Sequence, residues 1–145
     1  MDIGEGIMED RQHSALTDAI ICCFYSVYNK LGYGFLEKVY ENALLIEMKS
    51  RGIATAAQCP IAVRYEEQVV GEYCCDLMAE GKVIVEIKAA RQLLLEHEAQ
   101  LLNYLKATEV EVGLLLNFGP KAEVRRKAFS NNRKGNGTLI KSDLR

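Results

Sequence analysis

The sequence predicts an α/β domain of the α+β, mixed-sheet type, and three observations carry that prediction. Two amphipathic helical stretches open the chain, three β-branched runs follow in succession, and a later helix leads into one more buried run. The resulting order, ααβββαββ, groups its strands instead of alternating them with helices as a doubly wound fold does. With 145 residues, 49% of them hydrophobic and 26% charged, the chain is long enough to bury one core without staples.

The first helix is read from His13 to about Leu31, where Leu16, Ile20, Cys23, Phe24 and Val27 recur at helical spacing and Ser14 or Thr17 is available as a cap. Gly32-Tyr-Gly34 breaks it. A second helix follows from about Leu36 to Arg51, with Leu36, Val39, Tyr40, Ala43, Leu44 and Met48 on one face and Gly52 placed to end it. The period then changes. Pro60 to Tyr65, Val69 to Met78 and Lys82 to Ala89 are rich in Val, Ile, Tyr and Cys and read as strands, with a turn at Glu80-Gly81. A third helix is expected from about Leu93 to Ala107, a buried strand from Glu111 to Phe118, and a partly exposed strand from Glu123 to Phe129. Asn131 to Gly137 is rich in Asn and Gly and reads as mobile. The organisation expected is a flexible acidic segment over 1–12, a single domain over 13–130, and a basic, mobile tail over 131–145.

Composition narrows the function classes. Asp2, Glu5, Glu9 and Asp10 precede any apolar run, which is unlike a signal peptide, and the stretch from Ala19 to Tyr28 is too short to span a bilayer. The expectation is a cytoplasmic chain with no membrane partner; nothing indicates a homo-oligomer. The five cysteines (Cys22, Cys23, Cys59, Cys74, Cys75) form no CxxC and are odd in number, so they read as small buried hydrophobes and not as a zinc site or disulfide framework. The net charge of −2 divides into −3 over residues 1–12, −5 over 13–120 and +6 over 121–145. A basic end beside an acidic centre suits a phosphate-backbone ligand that also meets a metal, although a solvated tail gives the same pattern.

The candidate site lies in Asp76-Leu-Met-Ala-Glu-Gly-Lys-Val-Ile-Val-Glu86-Ile-Lys88. In a strand, Ile84, Glu86 and Lys88 share one face, so the acid and the lysine are close neighbours. Whether Asp76 joins them depends on the hairpin register. A two-residue loop at Glu80-Gly81 sets Asp76 opposite Val85 and facing away; a three-residue loop, Glu80-Gly81-Lys82, sets it opposite Glu86 on the same face. The three-residue loop, or an equivalent bulge, is the expectation. Carboxylates at close range would then bind Mg²⁺ or Mn²⁺ through hard oxygen donors, and the nearby ammonium would orient water or stabilise charge. Acid-x-Lys alone is common, and an exposed Glu86–Lys88 pair would contribute little.

Two further segments bear on the site. Glu37 and Tyr40 fall three apart near the start of the second helix, where Glu37 supplies a further carboxylate or holds a metal-associated water. His97, Gln100 and Tyr104 form a polar stripe on the third helix, opposite Leu94, Leu95, Leu102 and Leu105. Alone, His97 reads as a satisfied histidine; the trio reads as a hydrogen-bonding shelf.

Gly34-x-x-Glu37-x-x-Tyr40 resembles the signature that names the GxxExxY proteins, which are assigned to the PD-(D/E)xK, restriction-endonuclease-like nuclease superfamily. The resemblance extends from about His13 to Phe129 and takes in Asp76, Glu86-Ile-Lys88, His97-Glu-Ala-Gln100-Leu-Leu-Asn-Tyr104 and Gly113-Leu-Leu-Leu-Asn-Phe-Gly119, in order. It implies a central mixed β-sheet flanked by helices. It further implies Asp76 and Glu86 as metal ligands, the Ile87 carbonyl as a further ligand, Lys88 as the catalytic lysine and Glu37 as the accompanying helical acid. Gln100 and Tyr104 resemble the Q-x-x-x-Y element of RecB-like nucleases, which positions substrate and the active-site strand. The reading is a Mg²⁺- or Mn²⁺-dependent nuclease acting on DNA, less favourably RNA, with His97 beside the substrate and Lys121, Arg125, Arg126 and Lys127 contacting phosphates. The alternative is a catalytically silent module of the same fold that binds nucleic acid or a protein partner.

Overall fold

The computed structural model describes residues 12–134. The elements are α1 (Ser14–Leu31), α2 (Glu37–Ser50), β1 (Thr55–Tyr65), β2 (Gln68–Ala79), β3 (Val83–Lys88), α3 (Leu95–Lys106), β4 (Val112–Phe118), β5 (Ala122–Ala128) and a four-residue turn of helix, α4 (Asn131–Lys134). The strands form one mixed sheet in the order β1-β2-β3-β4-β5, in which only the β3–β4 pairing is parallel. A parallel pair needs a crossover, and α3 supplies it. Among the described residues, no helix is long and apolar enough to cross a membrane.

The strand alternation divides the core into two layers. Val83, Val85 and Ile87 of β3 and Val112, Leu114 and Leu116 of β4 pack against Ile20, Phe24 and Val27 of α1 and Leu44 and Met48 of α2. Ile84 and Leu115, on the other face, meet Leu101, Tyr104 and Leu105 of α3. Both faces of β3 and β4 are therefore covered, as their continuous apolar runs require.

Several details depart from the sequence reading. β1 starts at Thr55, five residues before the expected Pro60, because Thr55 to Cys59 pair with Cys75 to Ala79 despite weak β-propensity. Neither Ser14 nor Thr17 caps α1: His13 is the N-cap without a side-chain bond, and the Thr17 hydroxyl donates within the helix to the Ser14 carbonyl. The segment from Asn131 begins with α4, which is tied down because the buried Lys134 Nζ donates to the carbonyls of Thr108 (2.9 Å) and Val110 (2.8 Å). The acidic segment expected over 1–12 lies outside the described residues except for Gln12, as does the tail beyond Lys134.

Two anchors hold the C-terminal end of β3. Buried Asn117 on β4 accepts the Ala90 N–H (2.8 Å) and donates to the Ala90 carbonyl (3.0 Å) and to Glu123 Oε1 (2.9 Å). At Gly119, a Cβ would lie 2.1 Å from the Ala90 carbonyl oxygen, so only glycine lets the two backbones pass.

Candidate active site

The hairpin between β2 and β3 pairs Leu77 with Val85, Met78 with Ile84 and Ala79 with Val83. Its loop is thus Glu80-Gly81-Lys82, three residues long, with Glu80 at φ 55° and Gly81 at φ 65° and the Lys82 N–H bonded to the Ala79 carbonyl at 2.8 Å. One step further along this register, Asp76 faces Glu86. There the backbone ladder gives way to carboxylates: Glu86 Oε2 accepts the Asp76 N–H at 2.8 Å, and Asp76 Oδ2 accepts the Ile87 N–H at 2.8 Å. The two acids cross-link the strands at the point where they part.

β2 is not regular at this point. Alternation would put Cys75 and Leu77 on one face, yet Cys75 joins the α3-side core and Leu77 the α1/α2-side core. Across from Asp76, Gln58 drops out of the β1–β2 register and takes φ 53°. The distortion turns the Asp76 carboxyl into the gap beside β3, as its bond to Ile87 records.

Electrostatics single out the same pair. Glu86 is 5% exposed, and burial, followed by the charge of Asp76, pushes its carboxyl up to about 8 against the opposing effects of the Asp76 N–H and Lys88. Asp76 is also raised, chiefly by burial and then by Glu41 and Glu37, against the Ile87 N–H and Lys88. Tyr104, on α3, is raised to about 12 by burial and by the charges of Glu86 and Asp76. Among the charges that these two acids feel are those of Glu37 and Lys88, and both acids in turn raise Tyr104.

Each surrounding residue has a structural reason for its position. Gly34 takes φ 115°, a conformation that favours glycine, and Tyr40 fastens the resulting loop. The Tyr40 hydroxyl donates to the Gly32 carbonyl (2.7 Å) and accepts the Phe35 N–H (3.1 Å), while its ring stacks on Phe118 at 4.3 Å. That pins the entry to α2 and sets exposed Glu37 in its first turn. On α3, His97 Nδ1 accepts the Leu94 N–H at 3.0 Å, so it closes the helix N-terminus and leaves Nε2 to carry the ring proton. Gln100 and Tyr104 line a groove between α3 and the β1–β2 hairpin.

The basic quartet is not brought together. Lys127 pairs with Glu98 of α3 at 2.6 Å, and Arg125 with Glu98 at 3.6 Å and Glu123 at 3.7 Å. Arg126 projects to the other side of β5, where it bonds the Gln12 carbonyl, and Lys121 lies exposed ahead of the strand. Adjacent residues on a strand face opposite ways, which explains the division.

The structure adds residues that the sequence reading did not single out. Glu41, buried one turn after Glu37, accepts bonds from Lys38 Nζ (3.0 Å) and from Gln58 Nε2 (3.0 and 3.1 Å). Its i,i+4 spacing from Glu37 was a usable signal; nothing in the sequence marked Gln58. Among the described residues, no three His, Cys, Asp or Glu side chains converge closely enough to form a ligand set on their own. The donor chemistry of Asp76 and Glu86 nevertheless suits a hard divalent cation: two raised, oxygen-bearing acids gain most from a positive charge between them.

A family model described as the PD-(D/E)XK nuclease superfamily matches residues 14–127. No curated protein matches the chain. A crystal structure described as that of SSO0001 is similar at 17% identity with a TM-score of 0.49, covering 92% of this chain and 67% of that one.

Proposed function

Because the chain belongs to the PD-(D/E)XK nuclease superfamily, we propose that it hydrolyses phosphodiester bonds of nucleic acid, DNA before RNA, with Mg²⁺ or Mn²⁺ held by Asp76 and Glu86. The observation that carries this reading is the cross-strand acid pair, Glu86 buried and Asp76 half-buried, both raised and both within the influence of Lys88. The Gly34, Glu37 and Tyr40 pattern supports reading the chain as one of the GxxExxY proteins within that superfamily.

When bound, a divalent ion supplies positive charge against the developing phosphorane and makes a water easier to deprotonate. Asp76 and Glu86 are the residues that would hold it, and the Ile87 carbonyl would be a further ligand. Lys88 donates from Nζ to the attacking water or to a non-bridging phosphate oxygen, where an ammonium stabilises charge as it builds. Glu37, exposed at the start of α2, orients water from the solvent side. Gln100 and the protonated Tyr104 hydroxyl position the substrate from α3, and His97 extends that edge through Nε2–H. Arg125 and Lys127, on the α3 side of β5, exchange Glu98 for backbone phosphate as the strand docks, and Lys121 adds positive charge ahead of the strand; Arg126, turned to the other side of β5, takes no part. Five cysteines, all free, accord with a cytoplasmic location.

A catalytically silent module is the second reading, favoured by the lack of a third converging ligand among the described residues. Calorimetric titration with Mn²⁺ separates the two. The nuclease reading expects binding that is lost in Asp76→Ala and Glu86→Ala. A parent that takes up no Mn²⁺, or variants that bind it equally, would overturn the assignment.

A further inference from the structure

Resting on the nuclease reading above, we propose that the groove between the β1–β2 hairpin and α3 receives one unpaired nucleobase beside the acid pair, so that the chain selects single-stranded or flapped nucleic acid over intact duplex. The groove encloses about 460 Å³ and is lined by Val63, Tyr73, Ala99, Gln100, Asn103 and Tyr104. That volume is in the ~300–1,000 Å³ range of small-molecule sites.

The lining matches a base more closely than a phosphate. Tyr73 is 48% exposed although aromatic, and its ring lies over Gly71, where an added Cβ would come within 3.2 Å of it. The Tyr73 and Tyr104 ring centroids are 5.9 Å apart at 45°, a tilted contact and not a stack, so about half of Tyr73 stays accessible to a base. Val63 and Ala99 provide apolar walls, while the amides of Gln100 and Asn103 present donors and acceptors of the kind that read base edges. At the rim, Glu96 and Lys106 offset each other's charge, so the groove holds no excess of positive charge for a phosphate.

Position connects this groove to the chemistry. Tyr73 and Asp76 are on the same strand, three residues and therefore about 10 Å apart. Tyr104 is common to both places, forming part of the groove wall while responding to the charges on Asp76 and Glu86. A base seated on Tyr73 thus belongs to a nucleotide next to the scissile phosphate. Within a duplex that base is paired and stacked and must first be swung out; in a single strand or flap it is already available.

The test uses a short oligodeoxynucleotide carrying 2-aminopurine, with Ca²⁺ present, titrated with the full chain as single strand and as duplex. The expected result is quenching of the single strand on binding and tighter binding of the single strand than of the duplex. Tyr73→Ala should remove the quench and weaken single-strand binding at least about fivefold, while Tyr73→Phe retains both; melting curves show that the variants fold. Cleavage of both forms with Mg²⁺ or Mn²⁺ is measured in parallel. If both are cut equally and Tyr73→Ala changes neither binding nor quench, the base site is wrong and the nuclease reading stands. If the single strand is bound and quenched through Tyr73 but no ion produces cleavage, the base site stands and the nuclease reading falls. A chain that binds neither form overturns the proposal.

Discussion

Replacing Glu86 by Gln preserves the shape of the side chain and an oxygen to accept the Asp76 N–H, while removing the ionisation. In the parent, the carboxyl rises from 4.5 to about 8 on folding, and at about 1.4 kcal/mol per pH unit its ionisation opposes folding by roughly 5 kcal/mol above pH 8. The sign follows from proton linkage. The native state keeps the proton that the unfolded chain has already released, so stability is full below pH 4.5 and declines as pH rises through about 8. Thermal melts in EDTA from pH 5 to 8.5 should show the parent losing on the order of 10 °C relative to Glu86→Gln. Saturating Mn²⁺, at about a hundred times its Kd, should return about 2.7 kcal/mol to the parent and far less to the variant. Parallel pH curves for the two proteins, or an equal gain with Mn²⁺, would refute the claim that buried Glu86, beside Asp76, is strained by its own charge and relieved by a cation.

Other perturbations test the supports around this pair. Asn117→Ala removes the two bonds that fasten Ala90 behind the active strand and a third to Glu123, and urea unfolding should show a loss of about 2–3 kcal/mol; a loss under 0.5 kcal/mol would contradict that anchoring. Arg125→Gln with Lys127→Gln should lower the slope of log affinity for DNA against log salt by about 1–2, and an unchanged slope would remove both from the phosphate path. Timed alkylation read by mass spectrometry should modify exposed Cys22 and Cys74 first and Cys75 last, since burial pushes the Cys75 thiol up to about 12. Early modification of Cys75 would show that the hairpin opens.

Much of the fold was legible because periodicity is written in single residues. The 3.6-residue spacing of Ile20, Phe24 and Val27 and the unbroken apolar runs of β3 and β4 leave few alternatives. The register of the hairpin could be posed as a choice between two loop lengths, because a one-residue slip would have reversed every side chain of β3. What the sequence did not disclose is irregular or long-range. The positive φ at Gln58 and the crossing of Cys75 and Leu77 to different layers depend on how β1 passes Asp76, and no local pattern announces them. The capping bond of His97 and the ion pairs of Glu98 with Arg125 and Lys127 likewise join residues whose proximity is set by packing. The basic quartet looked like a cluster in the sequence because sequence distance ignores the alternation of a strand.

The most direct test of the central claim is cleavage of a labelled DNA carrying single-stranded, duplex and flap segments, by the parent and by Lys88→Ala, with Mg²⁺ or Mn²⁺. The account predicts metal-dependent scission by the parent that falls at least a hundredfold in Lys88→Ala, of the order expected for losing a preorganised charge-stabilising donor, while Mn²⁺ binding persists. Cleavage by Lys88→Ala at the parent's rate would contradict the account, as would a parent that binds Mn²⁺ and DNA and leaves every phosphodiester intact.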